Sequence, residues 1–267
     1  MKKVTAFVGS ARKHGTYQSA RRFFATLQSL SDTEVEIIRL SDYRVETCKG
    51  CKKCFSEGEE SCPYSGDDRD TLIEKMMTSH GVVFASPVYT FQVSAIMKAF
   101  LDRLGFVCHR PRFFGKTFTN IVVQAFRGGP ECVSYLDLVG FALGFNVVKG
   151  VCVPAGLEEV PEKEQRRTDS ILDAHARRFY RALTGPAYPS PTFPQVMAFR
   201  WSRSYIRGAL DEANLDYRYY RDRGWFQSAH YYPIRLSLVK RAAGGLFDSI
   251  ATRSSRKRST APASGHK

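Results

Sequence analysis

Four cysteines lie within fifteen positions of one short segment and are close enough in sequence to act together. Thiolates two residues apart in a tight loop can converge on one iron–sulfur cube, and a more distant fourth thiolate closes it in ferredoxin-type ligation, where a proline follows the last cysteine. The spacing here is C-x2-C-x2-C-x7-C-P. It predicts a 4Fe-4S cluster, with these ligands: Cys48, Cys51, Cys54 and Cys62.

Three other interpretations of these cysteines stay open. Zinc also accepts four thiolates, although structural zinc sites usually pair two separate CxxC units. A thiol–disulfide exchange site needs one CxxC and leaves two cysteines unexplained. A loop that keeps its cysteines without any metal is the third alternative. The remaining cysteines lie in apolar surroundings and are expected to be buried core thiols: Cys108, Cys132 and Cys152.

A polar loop near the N-terminus is the second candidate for chemistry. The sequence GSARKHGTYQS at residues 9–19 lies between an apolar run and an amphipathic stretch, a pattern that predicts strand, loop and helix. Hydroxyl groups, an arginine and the free N–H groups of a helix start favour an anion. Neither GxxxxGK[ST] nor GxGxxG is present, so a mononucleotide phosphate fits better than a triphosphate.

The elements that position these residues alternate along the first two-thirds of the chain. Short apolar runs predict five strands, at residues 4–8, 35–40, 81–89, 118–125 and 147–153. Amphipathic stretches predict helices, at residues 17–30, 67–80, 93–104, 131–145 and 158–183. The alternation predicts an α/β fold with a doubly wound parallel sheet. Ligands of such sheets bind beyond the carboxyl ends of the strands, which selects three loops: 9–18, 86–91 and 125–130.

Two of these loops resemble those of a known family. GSARKHGTYQS is similar to the GSxRxxGxT phosphate loop of the flavodoxin-like NADPH-dependent FMN reductase superfamily. SPVYTFQVSAIMKAFLDR at residues 86–103 is similar to its SPVYxxxxxxxxKxFxDR isoalloxazine loop and following helix. The cysteine spacing is similar to the motif of the iron–sulfur flavoproteins, a branch that carries a 4Fe-4S cluster beside FMN. The resemblance implies a flavodoxin-like five-stranded sheet that binds FMN.

The resemblance assigns the FMN contacts to the three loops. In the first loop it implies that the phosphate is held by the side chains or backbone of Ser10, Arg12, Thr16, Tyr17 and Gln18. In the second it implies that the flavin ring is lined by Pro87, Val88, Tyr89 and Thr90. In the third it implies that the other edge of the ring is closed by Ala125, Arg127, Gly128 and Gly129. No side chain is expected to act as a catalytic acid or base.

The implied activity is an FMN-dependent oxidoreductase. FMN accepts a hydride and releases electrons singly, while a 4Fe-4S cluster moves one electron at a time. Electrons are therefore expected to pass between NAD(P)H or a ferredoxin-like donor and a further acceptor. The alternative is a cluster-free NAD(P)H-dependent FMN or quinone reductase. The resemblance also implies a homodimer or tetramer.

Residues 185–267 differ in composition from the first 184. The chain has 267 residues and a net charge of +14, and this last part carries 14 Lys and Arg against 5 Asp and Glu, together with both tryptophans. We therefore predict a flavodoxin-like FMN-binding domain at 1–184, which includes the cysteine loop 48–62, and a basic, aromatic-rich C-terminal extension. The last ~15 residues are low in apolar side chains and are predicted to be disordered.

A helical stripe of apolar residues at 234–250, flanked by basic residues, gives the extension three interpretations. The stripe predicts a helix that packs on the domain or on an oligomer partner, that contacts an anionic membrane surface, or that contacts an acidic electron-transfer protein. Nucleic-acid binding is a further alternative, but no DNA- or RNA-binding motif supports it. The sequence shows neither a signal peptide nor an apolar run long enough to span a membrane, so we expect a cytoplasmic protein.

Overall fold

The computed structural model describes residues 1–155 and 161–240, together with residues 244, 245 and 248. The chain divides into two compact units. The first comprises Met1–Cys51 and Pro63–Ala187, and the second comprises Lys52–Cys62 and the described residues after Ala187. The predicted disorder of the last residues concerns positions outside those described, and the predicted stripe at 234–250 falls only partly within them.

A parallel sheet forms the centre of the first unit. Its strands are β1 (Lys2–Val8), β2 (Thr33–Arg39), β3 (Gly81–Tyr89), β4 (Gln92–Val93), β5 (Thr117–Gln124), β6 (Asn146–Val147) and β7 (Val151–Pro154). The order is β2-β1-β3-β5-β6, with β7 also beside β5 and the short β4 antiparallel to β3. This is the doubly wound arrangement of flavodoxin-like folds, so the predicted fold class is confirmed.

The last strand differs from the single strand predicted at 147–153. β6 and β7 both pair with β5, but the edge strand has one more residue between the two pairings than β5 has. At this point the Gly150 N–H donates to the carboxylate of Asp137 (3.0 Å), and a Cβ at Gly150 would collide with the side chain of Asn120. The break is therefore a β-bulge held by side-chain contacts, which apolar periodicity does not reveal.

Helices lie between the strands and continue into the second unit. They are α1 (Gly15–Leu30), α2 (Lys53–Ser56), α3 (Arg69–Thr78), α4 (Ala95–Arg103), α5 (Gly105–His109), α6 (Gly129–Leu143), α7 (Glu162–Leu183), α8 (Phe193–Ala209) and α9 (Leu215–Asp222). The helix predicted at 158–183 corresponds to α7, and its predicted start at 158 lies outside the described residues. Within the described parts of the chain, no helix combines the length and apolarity needed to cross a membrane.

Alternation along the buried strands separates two core layers. Val4, Ala6 and Val8 of β1 pack in one layer with buried residues of α1 and α7. Phe7 points the other way and stacks on Phe100 of α4, with ring centroids 5.7 Å apart. The second layer continues through edge and tilted ring contacts of Phe84, Phe118 and Phe145. Because both faces are covered, these strands are apolar on both sides.

The second unit is organised around aromatic side chains. Trp225 packs edge-to-face on Tyr220 of α9 and on Tyr231, each with ring centroids 4.8 Å apart. The carboxylate of Asp248 lies 2.5 Å from the Arg200 guanidinium of α8. Ring contacts and this largely buried ion pair thus hold the second unit together, and residues 238–240, 244, 245 and 248, which fall in the predicted stripe, are helical.

Buried His175 links α7 to β5 in the first unit. Its Nε2 lies 2.9 Å from Thr119 Oγ1, and its Nδ1 lies 2.8 Å from the guanidinium of Arg178. Because a guanidinium can only donate, Nδ1 accepts and the imidazole is neutral. Burial, reinforced by the charge of Arg178, lowers the pKa of His175 to about 3.

We expect stability to fall as the pH is lowered from about 6.5 toward about 3. In this window the unfolded chain binds a proton that folded His175 excludes, so each pH unit costs up to about 1.4 kcal/mol of unfolding free energy. Urea unfolding between about pH 7 and about pH 4 measures the slope. The variant His175→Gln should show a shallower slope, and identical slopes in the two proteins would contradict the assignment.

Candidate functional site

Three loops meet at one edge of the sheet because β1, β3 and β5 run parallel and side by side. We name them the first loop (residues 9–18), the second loop (86–91) and the third loop (125–130). Val8 pairs with Ala85, and Pro87 pairs with Val123, so the three strands end at similar height. The structure therefore brings the predicted FMN contacts of all three loops to the same edge.

The first loop begins with a close approach to α4. The Gly9 carbonyl accepts a hydrogen bond from Ser94 Oγ (2.6 Å), and Ser94 Oγ also accepts from the Met97 N–H (3.2 Å) as the N-cap of α4. A Cβ at Gly9 would lie 2.8 Å from Met97 Cβ, so glycine is required for this packing. One buried serine thus joins the first loop to the helix that follows the second loop.

The first loop then opens α1 with N–H groups that point out of the helix. The N–H groups of residues 15–17 precede the first intrahelical bond, which runs from the Gln18 N–H to the His14 carbonyl (2.9 Å). A helix start carries partial positive charge, so these donors fit a phosphate. The Gln18 backbone is already engaged in the helix, and its side chain donates to the Lys13 carbonyl (3.2 Å).

The other predicted phosphate ligands differ in exposure. Ser10 and Thr16 are buried, Tyr17 is half-buried and Arg12 is exposed. Ser10 Oγ donates to the Arg12 carbonyl (3.2 Å), which holds the loop in a tight turn. Two hydroxyl side chains of this loop are therefore buried, while its arginine is exposed to solvent.

Arg39 is a residue of this site that sequence reasoning missed. It ends β2, the strand beside β1, and donates to the Ala11 carbonyl (2.9 Å) while its guanidinium pairs with Asp42 (2.8 Å). The contact fixes the outer side of the first loop. A basic residue at the carboxyl end of the neighbouring strand was the available signal, but its partner is a backbone carbonyl, which no sequence pattern marks.

The second loop turns in a two-residue hairpin between β3 and β4. Tyr89 pairs with Gln92, and the two residues between them both have positive φ, 49° at Thr90 and 62° at Phe91. Such a turn favours Asn-Gly, and non-glycine residues in this region cost about 1–3 kcal/mol each. Strain of this kind clusters at ligand sites.

Exposure increases along the second loop toward the turn. Pro87 is buried, Val88 is half-buried, and Tyr89 and Thr90 are exposed. Before them, Ser86 Oγ accepts from the Ser94 N–H (3.1 Å) and donates to the Pro87 carbonyl (2.9 Å). The buried serines hold the base of the loop and leave its tip open to a ligand.

The third loop packs directly on the turn of the second. Gly128 has φ +95°, and a Cβ there would lie 2.8 Å from Phe91 Cα and 3.0 Å from its carbonyl oxygen. Gly129 is buried at the start of α6, and its N–H donates to Gln124 Oε1 (2.9 Å). Both glycines are therefore required by space. The predicted contacts Ala125 and Arg127 are exposed beside them.

The edge of the site is rich in exposed rings. Tyr89, Phe91 and Phe126 are 52%, 63% and 81% exposed, although aromatic side chains usually lie inside. Together with the donors of the first loop they offer a surface for a flat ring and a site for a phosphate. This arrangement suits a planar ligand with a phosphorylated arm.

The four clustered cysteines differ in exposure. Cys48 and Cys51 are exposed, and Cys54 and Cys62 are half-buried. Among the residues that the structure describes, no group of three or more His, Cys, Asp or Glu side chains is arranged to hold a metal ion. Positive φ at Gly50 (65°) turns the backbone within the segment. Four soft thiol donors at this spacing fit an iron–sulfur cluster in their chemistry.

Asp67 holds together the stem of the cysteine segment, that is, the residues just before and just after the loop 48–62. Its carboxylate accepts from the Glu46 N–H (3.0 Å) on one side of the stem and from the Arg69 N–H (3.1 Å) on the other. Arg103 of α4 donates to both oxygens, each at 3.1 Å. Burial alone would raise the pKa of Asp67, but the guanidinium and the two N–H donors outweigh it and lower the pKa. The residues on both sides of the cysteine loop are thus anchored to the helix that follows the second loop.

The other cysteines differ in part from the prediction of buried core thiols. Cys132 is buried and Cys152 is half-buried, but Cys108 is exposed, because it lies in the short helix α5 at the surface. Burial, with the neighbouring Cys132 and Glu131, raises the pKa of Cys152 to about 11. Cys152 is therefore an uncharged thiol at neutral pH.

Comparison with known proteins gives the same family that the sequence motifs resemble. The sequence profile of the family described as NADPH-dependent FMN reductase matches residues 2–158, more than half of the chain. An iron–sulfur flavoprotein of Archaeoglobus fulgidus is 37% identical over 160 residues, which cover 55% of this chain and 70% of the relative. The iron–sulfur flavoprotein MJ1083 of Methanocaldococcus jannaschii is 36% identical over 151 residues, which cover 55% of this chain and 74% of the relative.

A solved structure has a similar fold. RosB, with a bound 8-demethyl-8-formylriboflavin-5'-phosphate intermediate, aligns with a TM-score of 0.53 over 100% of this chain and 95% of its own, at 12% identity. The family match includes the first, second and third loops and the cysteine segment. The chain therefore belongs to the NADPH-dependent FMN reductase family, in its iron–sulfur flavoprotein branch, and is a flavin-dependent oxidoreductase.

Proposed function

We propose that this oxidoreductase passes electrons between NAD(P)H or a ferredoxin-like donor and a further acceptor by way of FMN and a 4Fe-4S cluster. The observation that carries the proposal is the C-x2-C-x2-C-x7-C-P motif in a chain that is 37% identical to a relative named iron–sulfur flavoprotein. FMN supplies hydride acceptance and single-electron release when bound, and a cluster supplies one-electron transfer.

The protein contributes binding and orientation at the flavin. The N–H groups of residues 15–17 and the hydroxyls of Ser10 and Thr16 would hold the phosphate. The second and third loops would lie along the ring, and the contact of Gly128 with Phe91 fixes the distance between them. Because the buried serines preorganise the loop bases, little ordering is left for the moment of binding.

A charged lysine lies beside two of the four cysteines in the sequence. The Lys49 ammonium lies 4.9 Å from the ring centroid of Tyr64, and its interaction with Tyr64 raises the pKa of Lys49. Lys49 thus stays charged beside Cys48 and Cys51 in the sequence. Such a positive charge would offset part of the negative charge of a bound cluster.

Metal analysis of anaerobically purified protein tests the proposal. We expect bound FMN together with about four iron and about four sulfide per chain. The variant Cys51→Ser should lose iron and sulfide but keep FMN, since the three flavin loops lie outside the cysteine segment. Cys108→Ser removes another exposed thiol and serves as the control, which should keep all three components.

Other results of the metal analysis would support other functions. The lack of a gathered metal-binding group among the described residues favours a cluster-free NAD(P)H-dependent FMN or quinone reductase. Bound FMN without iron in an anaerobic preparation would establish that alternative and overturn the cluster. Zinc in place of iron would assign the cysteines to a structural site.

We further propose that the protein is a homodimer or tetramer. Light scattering of the FMN-loaded protein measures its mass and tests this proposal.

A further inference from the structure

A cavity of about 650 Å³ lies within the second unit, and its lining residues all fall between positions 223 and 235. None of these positions belongs to the three flavin loops or to the cysteine segment. The volume is in the range of cavities that hold small molecules or cofactors. The side chains that define its character are Arg223, Trp225, His230, Tyr231, Tyr232 and Arg235.

The aromatic walls of the cavity are held in place by hydrogen bonds. Trp225 Nε1 donates to the Tyr231 carbonyl (3.0 Å), and the Tyr232 hydroxyl donates to the Pro189 carbonyl (2.9 Å). The rings of His230 and Tyr232 meet edge-to-face with centroids 4.6 Å apart. A ligand would therefore enter a preformed site and pay little for ordering these side chains.

The charge of the lining has one sign. Arg223 and Arg235 are basic, and no acidic residue is among the described residues that line the cavity. The Arg223 guanidinium lies 3.5 Å from the ring centroid of Tyr219, which restricts its orientation. Two guanidinium groups without a carboxylate in the lining favour an anion, and their planar forks match a carboxylate or phosphate.

His230 adds an unsatisfied polar atom to this wall. The residue is 5% exposed, and its Nδ1 has no hydrogen-bond partner in the described part of the chain. A buried polar atom without a partner loses its hydration and gains nothing in return, so such atoms are rare unless a ligand or water satisfies them. Burial also lowers the pKa of His230 to about 4, so the ring adds no charge of its own at neutral pH.

We propose that this cavity binds a planar aromatic molecule that carries a carboxylate or phosphate group. The rings supply flat apolar contact, and the two arginines supply recognition of the oxyanion. The site is independent of the proposed cluster, because its residues are distinct from the four cysteines. It gives the C-terminal extension a ligand-binding role that the flavodoxin-like unit does not require.

The probe for this test is 2-naphthoate, added to FMN-saturated full-length protein with ¹⁵N-labelled tryptophan. The chain has two tryptophans, so the indole spectrum is simple, and Trp225→Phe assigns its signal. The Trp225 signal should shift saturably while that of Trp201 stays in place. Neutral 2-naphthylmethanol and non-aromatic cyclohexanecarboxylate should each bind at least about tenfold more weakly. In parallel, 2-naphthyl phosphate tells whether a phosphate or a carboxylate is preferred.

Single-charge variants locate the anion. Arg223→Gln and Arg235→Gln should each raise the Kd for 2-naphthoate about tenfold, as expected for loss of a charge-assisted hydrogen bond. Arg207→Gln removes an exposed arginine of α8 that does not line the cavity, and its Kd should equal that of the wild type. Absence of a saturable Trp225 shift, equal affinity for cyclohexanecarboxylate, or an Arg235→Gln variant that matches Arg207→Gln would each overturn the proposal.

Discussion

Replacing Arg103 by Met should lower the free energy of unfolding by about 3–5 kcal/mol, because it leaves the buried carboxylate of Asp67 without its guanidinium partner. The side chains of Arg103 and Asp67 are 3% and 1% exposed, so water cannot take over the lost contacts. The two remaining N–H donors, from Glu46 and Arg69, do not neutralise the charge. Urea unfolding of the FMN-free protein measures the loss.

Two further variants separate this effect from the loss of any cation on α4. Lys98→Met removes the partner of Asp102 from the same helix, but both side chains are about half exposed, so the cost should stay near 0.5 kcal/mol or below, by the order of magnitude known for exposed pairs. Adding Asp67→Asn to Arg103→Met removes the unpaired charge. The double variant should therefore be more stable than Arg103→Met alone. If Arg103→Met lowers the free energy of unfolding no more than Lys98→Met does, the proposal that Asp67 and Arg103 anchor the stem is wrong.

The difference in stability between the wild type and Arg103→Met should depend on pH, because the pKa of Asp67 is shifted in the folded protein. The pKa of Asp67 is lowered in the folded protein, so its pair with Arg103 contributes stability above the ordinary Asp pKa, and this contribution is lost as the pH falls through the folded value. The difference in unfolding free energy between wild type and Arg103→Met should accordingly narrow in acid. A difference that grows below about pH 4 would contradict the charge-based explanation.

Local patterns in the sequence were sufficient for the fold and for the position of the loops. Apolar runs that end in Gly9 or continue into Pro87 mark strands that lead to loops, and alternation with amphipathic stretches implies a parallel sheet. In a parallel sheet the carboxyl ends lie together, so the convergence of the three loops follows from the fold itself. Whether each predicted residue contacts FMN stays a prediction, and the backbone N–H of Gln18 already donates to the His14 carbonyl within α1.

Contacts between distant positions are what the sequence did not reveal. Ser94 binds the Gly9 carbonyl across 85 positions, and Asp67 meets Arg103 across 36. Each partner is a common polar residue or a backbone group, so composition and period carry no sign of the pairing. The same holds for the bulge at Gly150, which depends on the side chains of other elements. These contacts set the geometry of the site, whereas local patterns set its location.

In the C-terminal extension the sequence revealed the composition of the unit but not its packing. Its basic, aromatic composition marked a separate region, but its core depends on ring contacts such as Trp225 with Tyr231, which have no helical or strand period. A cavity within such a segment is built from one short stretch of chain, positions 223–235. Composition therefore indicated the chemistry of the lining without its shape.

Replacing Gly128 by Ala should weaken FMN binding at least about tenfold, a loss of about 1.4 kcal/mol or more. Gly128 has φ +95°, a conformation that costs an L-residue roughly 1–2 kcal/mol. In addition, the new Cβ would lie 2.8 Å from Phe91 Cα, which is backbone and cannot rotate away. One of the two loops must move, and both are predicted to line the flavin. Quenching of flavin fluorescence on titration measures the Kd.

Gly144→Ala provides a matched control for backbone strain. Gly144 has φ +101° at the other end of α6, and a Cβ there would meet the ring of Phe114 at 3.0 Å rather than a flavin loop. Both variants should lose stability through the positive φ, but Gly144→Ala should keep the wild-type affinity for FMN. Equal FMN affinities in the two variants would place the flavin ring away from the contact of Gly128 with Phe91, because strain alone is common to both.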